Sequence, residues 1–429
     1  MKCEVNLCAI LFDYVQKFFT VGIEKVPWSF CRTQNIIQRV VFMKRNLYFM
    51  YAISFFQGMV FYSSIATLYR QAAGLSVFQI TMIESISLVL SFGFEIPWGV
   101  LADHIGYKRT MIVCNTLFFI SKIIFWKSQN FADFLLERVL IAIVISGLSG
   151  VDTSILYLSC GDDDSQRAFG IYEGLGTSGL LSAAAIYMVF IEENYRAAGF
   201  LTVISYGIAA ILSLGLKEVK SAQKGERISF GHSFTILKET LFNRSLLFLI
   251  AGIALLREVN QTITVFFNQL QYTKAGMSVR LISGVYILMT LSGLVSVFSA
   301  PLTKKLKPRF FGAMLFVVCS CSCFILAFTE NPFVSVLGVL LIRVCFSLMS
   351  PLGTELQNKA ITAIDRATAL SMSTLIMDLL AVFTNLVFGK LAEFNLSAAM
   401  CFGGFLCILG VILYLRGLKS QKCCRPSEL

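Results

Sequence analysis

Arg257 and Glu258 fall near the middle of one long hydrophobic run, Arg343 near the middle of another and Asp378 near the middle of a third. A charge at the centre of a bilayer costs at least about 2.5–3.5 kcal/mol unless it is paired or wet, so such groups mark ion pairs, proton carriers or substrate contacts. Arg257 and Glu258 are adjacent and point about 100° apart on a helix, so each must find its partner on another element. Asp378 and Glu258 are the acids available to Arg343 and Arg257. A guanidinium holds a neighbouring carboxylate ionised, and its withdrawal lets the acid take a proton. Rocking that separates acid from cation is therefore expected to couple proton entry to movement. A structural ion pair that carries no proton is the alternative. Glu84 and Glu95 flank the centre of an earlier run as further proton-carrying candidates, and Asp152 lies in the inner part of another.

Polar residues recur around these charges at helical spacing. Arg257, Gln261, Thr264 and Asn268 follow at i, i+4, i+7 and i+11, and Arg343, Ser347, Ser350 and Thr354 repeat that pattern. Ser371, Thr374, Asp378 and Asn385 make a third stripe. Ser146, Ser149, Thr153 and Tyr157, with Asp152 alongside, make a fourth. Polar stripes on apolar helices face one another or water, because lipid would leave them unsatisfied. For a single hydroxyl, an interhelical hydrogen bond of roughly 0.6 kcal/mol is the simpler role.

The elements that must position these groups are membrane helices. Of 429 residues, 56% are hydrophobic and 14% charged, with a mean hydropathy of +0.75, far more apolar than a soluble domain with about 25% charged residues. Taking about 20 apolar residues per span, twelve are predicted: 46–69, 77–102, 108–127, 132–158, 170–191, 194–217, 245–270, 277–300, 310–329, 332–354, 367–390 and 396–416. The formal charge of +11 gathers at span ends, where it meets lipid headgroups rather than nucleic acid. Cation placement puts both termini in the cytoplasm of a plasma-membrane protein.

The polar stretch between Lys217 and Arg244 divides the spans six and six. This predicts a bundle over 46–217, a cytoplasmic linker over 218–244, a second bundle over 245–416 and a basic tail over 417–429. Residues 1–45 are expected as an N-terminal extension that is amphipathic on the membrane surface or untranslated, because Asp13, Gln16 and Lys17 interrupt its apolar run. Gln166-Arg167-Ala168 echoes Asp365-Arg366-Ala367 at an offset near 200 residues, and the turn at Asp103 echoes that at Lys304. Gly170, Gly174 and Thr177, with Gly284, Ser292, Ser296 and Ser299, are predicted to be close-approach faces. Cys319, Cys321 and Cys323 are expected to fan around their helix, and no metal or redox pair spacing is evident.

Between the second and third runs stands Gly99-Val-Leu-Ala-Asp103-His-Ile-Gly106-Tyr-Lys108-Arg109. This resembles the Gly-x-Leu-Ala-Asp-x-x-Gly-Arg-Lys loop of the major facilitator superfamily, with Tyr107 in place of a cation. The resemblance implies an all-α, twelve-span fold of two six-helix bundles around a central cavity walled by spans one, four, seven and ten. It makes Gly99, Asp103, Gly106, Lys108 and Arg109 a gating loop. Asp162-Asp163-Asp164 is expected either as a solvated loop or as a latch for the loop's cations, with Asp103 set against the start of span eleven. Substrate contacts are then expected at Gln57, Asp152, Tyr157, Arg257, Gln261 and Arg343, and proton coupling at Glu258, Asp378, Glu95 and Glu84.

Phe94-Glu95-Ile-Pro97-Trp-Gly99 and Ser149-Gly150-Val-Asp152 look like the prokaryotic drug-exporter branch. Span five nevertheless lacks the proline of that branch's glycine motif, and Arg138 lacks a glycine four residues on. The expectation is a monomeric, proton-coupled exporter of small amphipathic molecules with no cofactor. An uptake symporter for a polar or anionic nutrient and a non-transporting receptor of the same fold are alternatives. No phosphate loop, nucleotide-binding signature or catalytic histidine constellation is present, His104 and His232 being the two histidines.

If the cation bias sets topology, a single cysteine placed between Lys217 and Arg244 should react with a membrane-impermeant maleimide in inverted vesicles and stay unlabelled in intact cells. Labelling from outside would overturn the assignment.

Overall fold

The computed structural model describes residues 33–160, 165–191, 194–219, 244–360 and 366–424. The expectations for the apolar run that Asp13, Gln16 and Lys17 interrupt, for Asp162 to Asp164, for most of the linker and for the last five residues of the tail lie outside them. The side chains of Gly99, Asp103 and Ser371 are likewise outside the description. Lys44–Leu429 form one compact unit, and Met1–Met43 a separate one that is helical from Thr33.

Twelve helices are long and apolar enough to cross a bilayer, and the described residues contain no strand. Spans one to six are Arg45–Ala72, Val77–Glu95, Tyr107–Lys127, Phe131–Cys160, Arg167–Ile191 and Tyr195–Leu214. Spans seven to twelve are Arg244–Lys274, Val279–Leu306, Pro308–Phe328, Pro332–Lys359, Ser373–Phe394 and Leu396–Lys419. The span-two helix itself continues to Ile105. Gly106, at φ +89°, then turns the chain directly into span three; glycine meets that conformation without steric cost.

In the first bundle span three packs on spans four and six, and in the second span nine packs on spans ten and twelve. The bundles meet where span two lies along span eleven, span five along span eight, and the end of span one along span seven. Near the face opposite the Gly106 turn they are hydrogen bonded. Ser64 and Ser283 hydroxyls are 3.0 Å apart, and the Thr67 amide donates to Gln269 Oε1 at 2.9 Å. Gly389 abuts the Thr81 side chain, and Ser85 donates to the Val382 carbonyl at 3.3 Å. Toward the Gly106 face, Glu95, Tyr157, Glu173, Ser350, Thr354 and Thr374 are exposed. The central cavity therefore opens to that face.

Several spans are not continuous α-helices. Span one leaves the helix after Gly58 and resumes at Ala66–Ala72, where unwound backbone at membrane depth must find partners inside the protein. Span six supplies them: Thr202 Oγ1 accepts the Phe61 amide at 3.0 Å, and the Ser205 hydroxyl donates to the Met59 carbonyl at 2.9 Å. Span four breaks between Leu148 and Val151, with Gly150 at φ +80°. Span seven contains a π-helical turn over Thr262–Phe267.

The close-approach glycines of span five are Gly176 and Gly179, not Gly170 and Gly174. A Cβ on Gly179 would strike the Phe55 carbonyl, and one on Gly176 would sit 3.0 Å from Ser54 Oγ, whereas nothing lies within 4 Å of Gly170 or Gly174. Those two lie on the part of span five where the bundles diverge.

The patch on span one can be tested. Thr202→Val keeps the shape but strands a buried amide, at a cost of about 1–3 kcal/mol, while Thr202→Ser retains the acceptor. The valine variant should melt several degrees below the serine variant in detergent; equal midpoints would show that the hydroxyl does not support the break.

Candidate functional site

The arginines and acids of the second bundle resolve into one pair and two separate groups. Arg257 Nη2 on span seven donates to Asp378 Oδ1 on span eleven at 3.0 Å, with side-chain exposures of 37% and 32%. Glu258 turns inward at 3% exposure, yet interacts electrostatically with both. Arg343 on span ten is half-buried, close to Gly293 of span eight, and has no carboxylate within 4.0 Å among the described residues. Both members of the pair belong to the same six-span bundle. Rocking of one bundle against the other therefore does not pull them apart, contrary to the expectation that bundle movement itself separates acid from cation.

The span-seven stripe is divided by its π turn. Arg257, Gln261 and Val265 show their side chains outward, a spacing of four that suits the wider turn. Thr264 and Asn268 rotate into the protein at 4% and 2% exposure. A uniform 3.6-residue period could not reveal that shift. On span ten Ser350 and Thr354 are exposed and Ser347 is buried, and on span eleven Thr374 is exposed. Asn385 is instead buried against span seven, where the Thr262 hydroxyl donates to its Oδ1 at 3.0 Å.

In the first bundle, Asp152 stands in the opening turn of the second half of span four. Its Oδ1 accepts the Thr153 amide at 2.6 Å, where a helix start favours an anion. It interacts electrostatically with Glu173 and Tyr172 of span five. Tyr157 is 49% exposed further along the same helix. Gln57 donates to Asn115 Oδ1 at 2.7 Å, so one of its polar contacts is committed to span three. Glu95 is exposed on span two.

Glu84 belongs to a different assembly. It is ion-paired with Arg138 and lies 3.9 Å from Arg70. Beside it, Lys122 of span three is 3.6 Å from Glu137 of span four and donates to the Tyr62 hydroxyl at 3.1 Å. The Lys122 ammonium also lies over the Tyr62, Phe118 and Tyr206 rings at 5.1–5.8 Å. Glu137 interacts with Arg70 as well as Lys122, which makes one network of three cations and two acids. Lys122, five residues from its span end, is roughly 8 Å deep. Counting charges inward from each predicted boundary finds Lys122, Glu137 and Arg138; reading them as end residues does not.

At the Gly106 turn the acid close at hand is Glu218, just beyond span six. Its Oε1 accepts the Lys108 amide at 3.3 Å in the first turn of span three, where the helix dipole welcomes an anion. A Cβ on Gly106 would stand 2.8 Å from Glu218 Oε2, so glycine is needed for approach as well as for φ. Desolvation, and then the Arg45 and Lys108 cations, hold the neighbouring Lys217 below the usual lysine range. Arg109 is exposed.

Twelve spans, two bundles and a polar cavity open on one side define a membrane carrier. The family model of the Major Facilitator Superfamily matches residues 47–384, and the chain belongs to that family: it is a multi-pass membrane transporter, not an enzyme. Methyl viologen resistance protein SmvA of Salmonella typhimurium is 24% identical over 163 residues, which cover 36% of this chain and 32% of that protein. The match thus spans about a third of the curated relative.

Among solved structures, the nucleoside transporter NupG superposes with a TM-score of 0.75 at 15% identity, covering 87% of this chain and 99% of that one. A bacterial homologue of the human lysosomal transporter Spinster, inward-facing and unoccupied, gives 0.64 at 17% identity over 89% and 97%. The peptide transporter POT in complex with sulfate gives 0.64 at 15% identity over 86% and 93%. These likenesses carry the fold.

The buried network makes an ordered prediction. Lys122→Met leaves two arginines for two acids, whereas Glu137→Gln leaves three cations for one acid. Breaking such a network from the wrong side costs about 3–5 kcal/mol, so the glutamine variant should be the less stable in SDS-titration unfolding. The reverse order would show that the charges do not act as one group.

Proposed function

We infer that the chain is a proton-coupled exporter of small amphipathic molecules, working by alternating access across the plasma membrane with both termini in the cytoplasm. The Arg257–Asp378 pair carries this reading. It sits at the cavity wall and is about a third exposed, so water reaches it. Protonation of Asp378 removes the charge that holds Arg257, and deprotonation restores it. With both groups in one bundle, the trigger is access of a proton or substrate to the pair rather than mechanical separation. Glu258 behind the pair is the second acid of this route.

On this assignment the cavity of the present conformation opens to the cytoplasm. Gln57, Asp152, Tyr157, Gln261 and Arg343 are its substrate contacts, and Glu95 and Glu84 lie apart from the coupling pair. Gly99, Asp103, Gly106, Lys108 and Arg109 form the gate between the bundles 46–217 and 245–416. The likeness to a protein named for methyl viologen resistance supports export. The observation favouring the alternative, uptake of an anionic nutrient, is Arg343, whose guanidinium has no carboxylate partner among the described residues.

Reconstituted vesicles with an imposed pH gradient separate these readings. Asp378→Asn should abolish gradient-driven accumulation of a cationic or neutral amphiphile while energy-independent exchange continues. Arg343→Ala, which removes one wall contact but no charge partner of such a substrate, should raise its KM well short of tenfold. Full gradient-driven transport by Asp378→Asn would overturn proton coupling at this pair. Transport confined to organic anions, with KM raised tenfold or more in Arg343→Ala, would replace export of amphiphiles by the anionic reading.

A further inference from the structure

Away from the cavity, spans nine, ten and twelve gather thiols. Cys319 and Cys323 are four residues apart on span nine and so return to the same helix face, while Cys321 between them points outward and is exposed. The expected fan around the axis thus holds for Cys321 alone. Cys407 of span twelve meets the Cys319–Cys323 face. The three sulfurs all lie within 4.8 Å of one another, with Cys407 and Cys319 Sγ 3.5 Å apart, and none of the three residues has exposed surface. Apolar side chains surround them: at Gly403 a Cβ would lie 3.5 Å from Cys323 Sγ and in contact with Ile263 and Phe388.

We propose that Cys319, Cys323 and Cys407 form a binding site for a monovalent thiophilic metal ion, of the Cu(I) or Ag(I) class, that ties span nine to span twelve. Three lines of chemistry lead there. The donors are all soft sulfur, with no imidazole or carboxylate in the group, which selects soft ions. A metal about 2.3 Å from each sulfur places the sulfurs of a planar three-coordinate site roughly 4 Å apart, within the range the thiols already span. Zn(II) calls for a fourth ligand, and the neighbouring buried thiol, Cys345 of span ten, is not among the sulfurs that lie within 4.8 Å of one another.

Charge fixes the protonation. A net charge in an apolar interior is costly, and one monovalent ion with one thiolate and two thiols is neutral. Binding therefore breaks one S–H bond, forms one metal thiolate bond and two thiol-to-metal bonds, and releases one proton to water. No electron changes hands.

The test uses the full-length protein in detergent, under reducing anaerobic conditions, titrated with Cu(I) held by a chromophoric chelator. One ion per chain, about one proton released per ion in weak buffer, and sulfur neighbours near 2.3 Å in X-ray absorption are expected. Cys407→Val and Cys323→Val should lose that ion, and Cys321→Ser should keep it. Ag(I) should also protect Cys319, Cys323 and Cys407 of the wild-type protein from alkylation, a readout that needs no variant. No uptake by the wild-type chain, equal uptake by Cys407→Val, or absence of protection would overturn the site. Preferential loading with Zn(II) in direct competition would overturn the monovalent assignment.

Discussion

Hydrocarbon offers no hydrogen bonds, so every backbone amide and carbonyl at membrane depth must be satisfied by the chain itself or by water in a cavity. That constraint decides where this protein is allowed to stop being helical. Span one unwinds after Gly58 only because Thr202 and Ser205 of span six face the gap and bind its stranded groups. Span four breaks at Gly150, whose carbonyl accepts from the Ser154 and Thr153 hydroxyls at 2.5 and 3.1 Å. Span seven adjusts instead by a π turn, which keeps its hydrogen bonds but rotates everything beyond it. Spans five and eight are interrupted as well, by a π turn over Tyr187–Ile191 and a 3-10 stretch over Gly293–Phe298, so irregularity falls both on spans expected to wall the cavity and on the two that meet between the bundles.

Electrostatics divides the same scaffold into a fixed and an accessible part. Lys122 and Glu137 are 6% and 1% exposed and hold spans three and four together beneath the closed face; breaking such a pair leaves an uncompensated charge with nowhere to hydrate. Arg257 and Asp378 make a similar contact at a third exposed, where water and solutes can compete for either partner. The difference in burial, rather than in residue type, distinguishes a group that clamps helices from one that water can reach. Glu84, alike in sequence to the other intramembrane acids, falls on the clamping side through Arg138 and Arg70.

Apolar run length makes the twelve spans legible, because lipid imposes that length whatever the side chains pack against. The candidate pair was legible as four isolated charges in apolar runs, but their partnering was not. Glu258 and Asp378 are equally plausible mates for either arginine until packing turns one acid inward and the other toward the cavity. The thiol cluster needed a helix face and a second helix, and spacing within span nine alone pointed the other way at Cys321. Glu218 was invisible for a similar reason: it lies 110 residues from the amide it caps, and nothing local in Lys217-Glu218-Val219 marks it.

The internal echo also becomes specific at the backbone. Gly106 stands at φ 89°, ψ 154° between spans two and three, and Lys307 at φ 63°, ψ 143° between spans eight and nine. A non-glycine residue at positive φ costs of order 1–3 kcal/mol, yet lysine occupies the second turn. Pro308 follows it as the first helical residue, and a proline turns the preceding residue away from helical ψ while being preorganised for the helix it begins. The first turn has no proline and relies on glycine, which also leaves room for the Glu218 carboxylate. The two turns thus share a shape but differ in how they hold it. The Glu218 carboxylate is built into the first turn, and in the second Lys304 stands where Asp103 would be repeated.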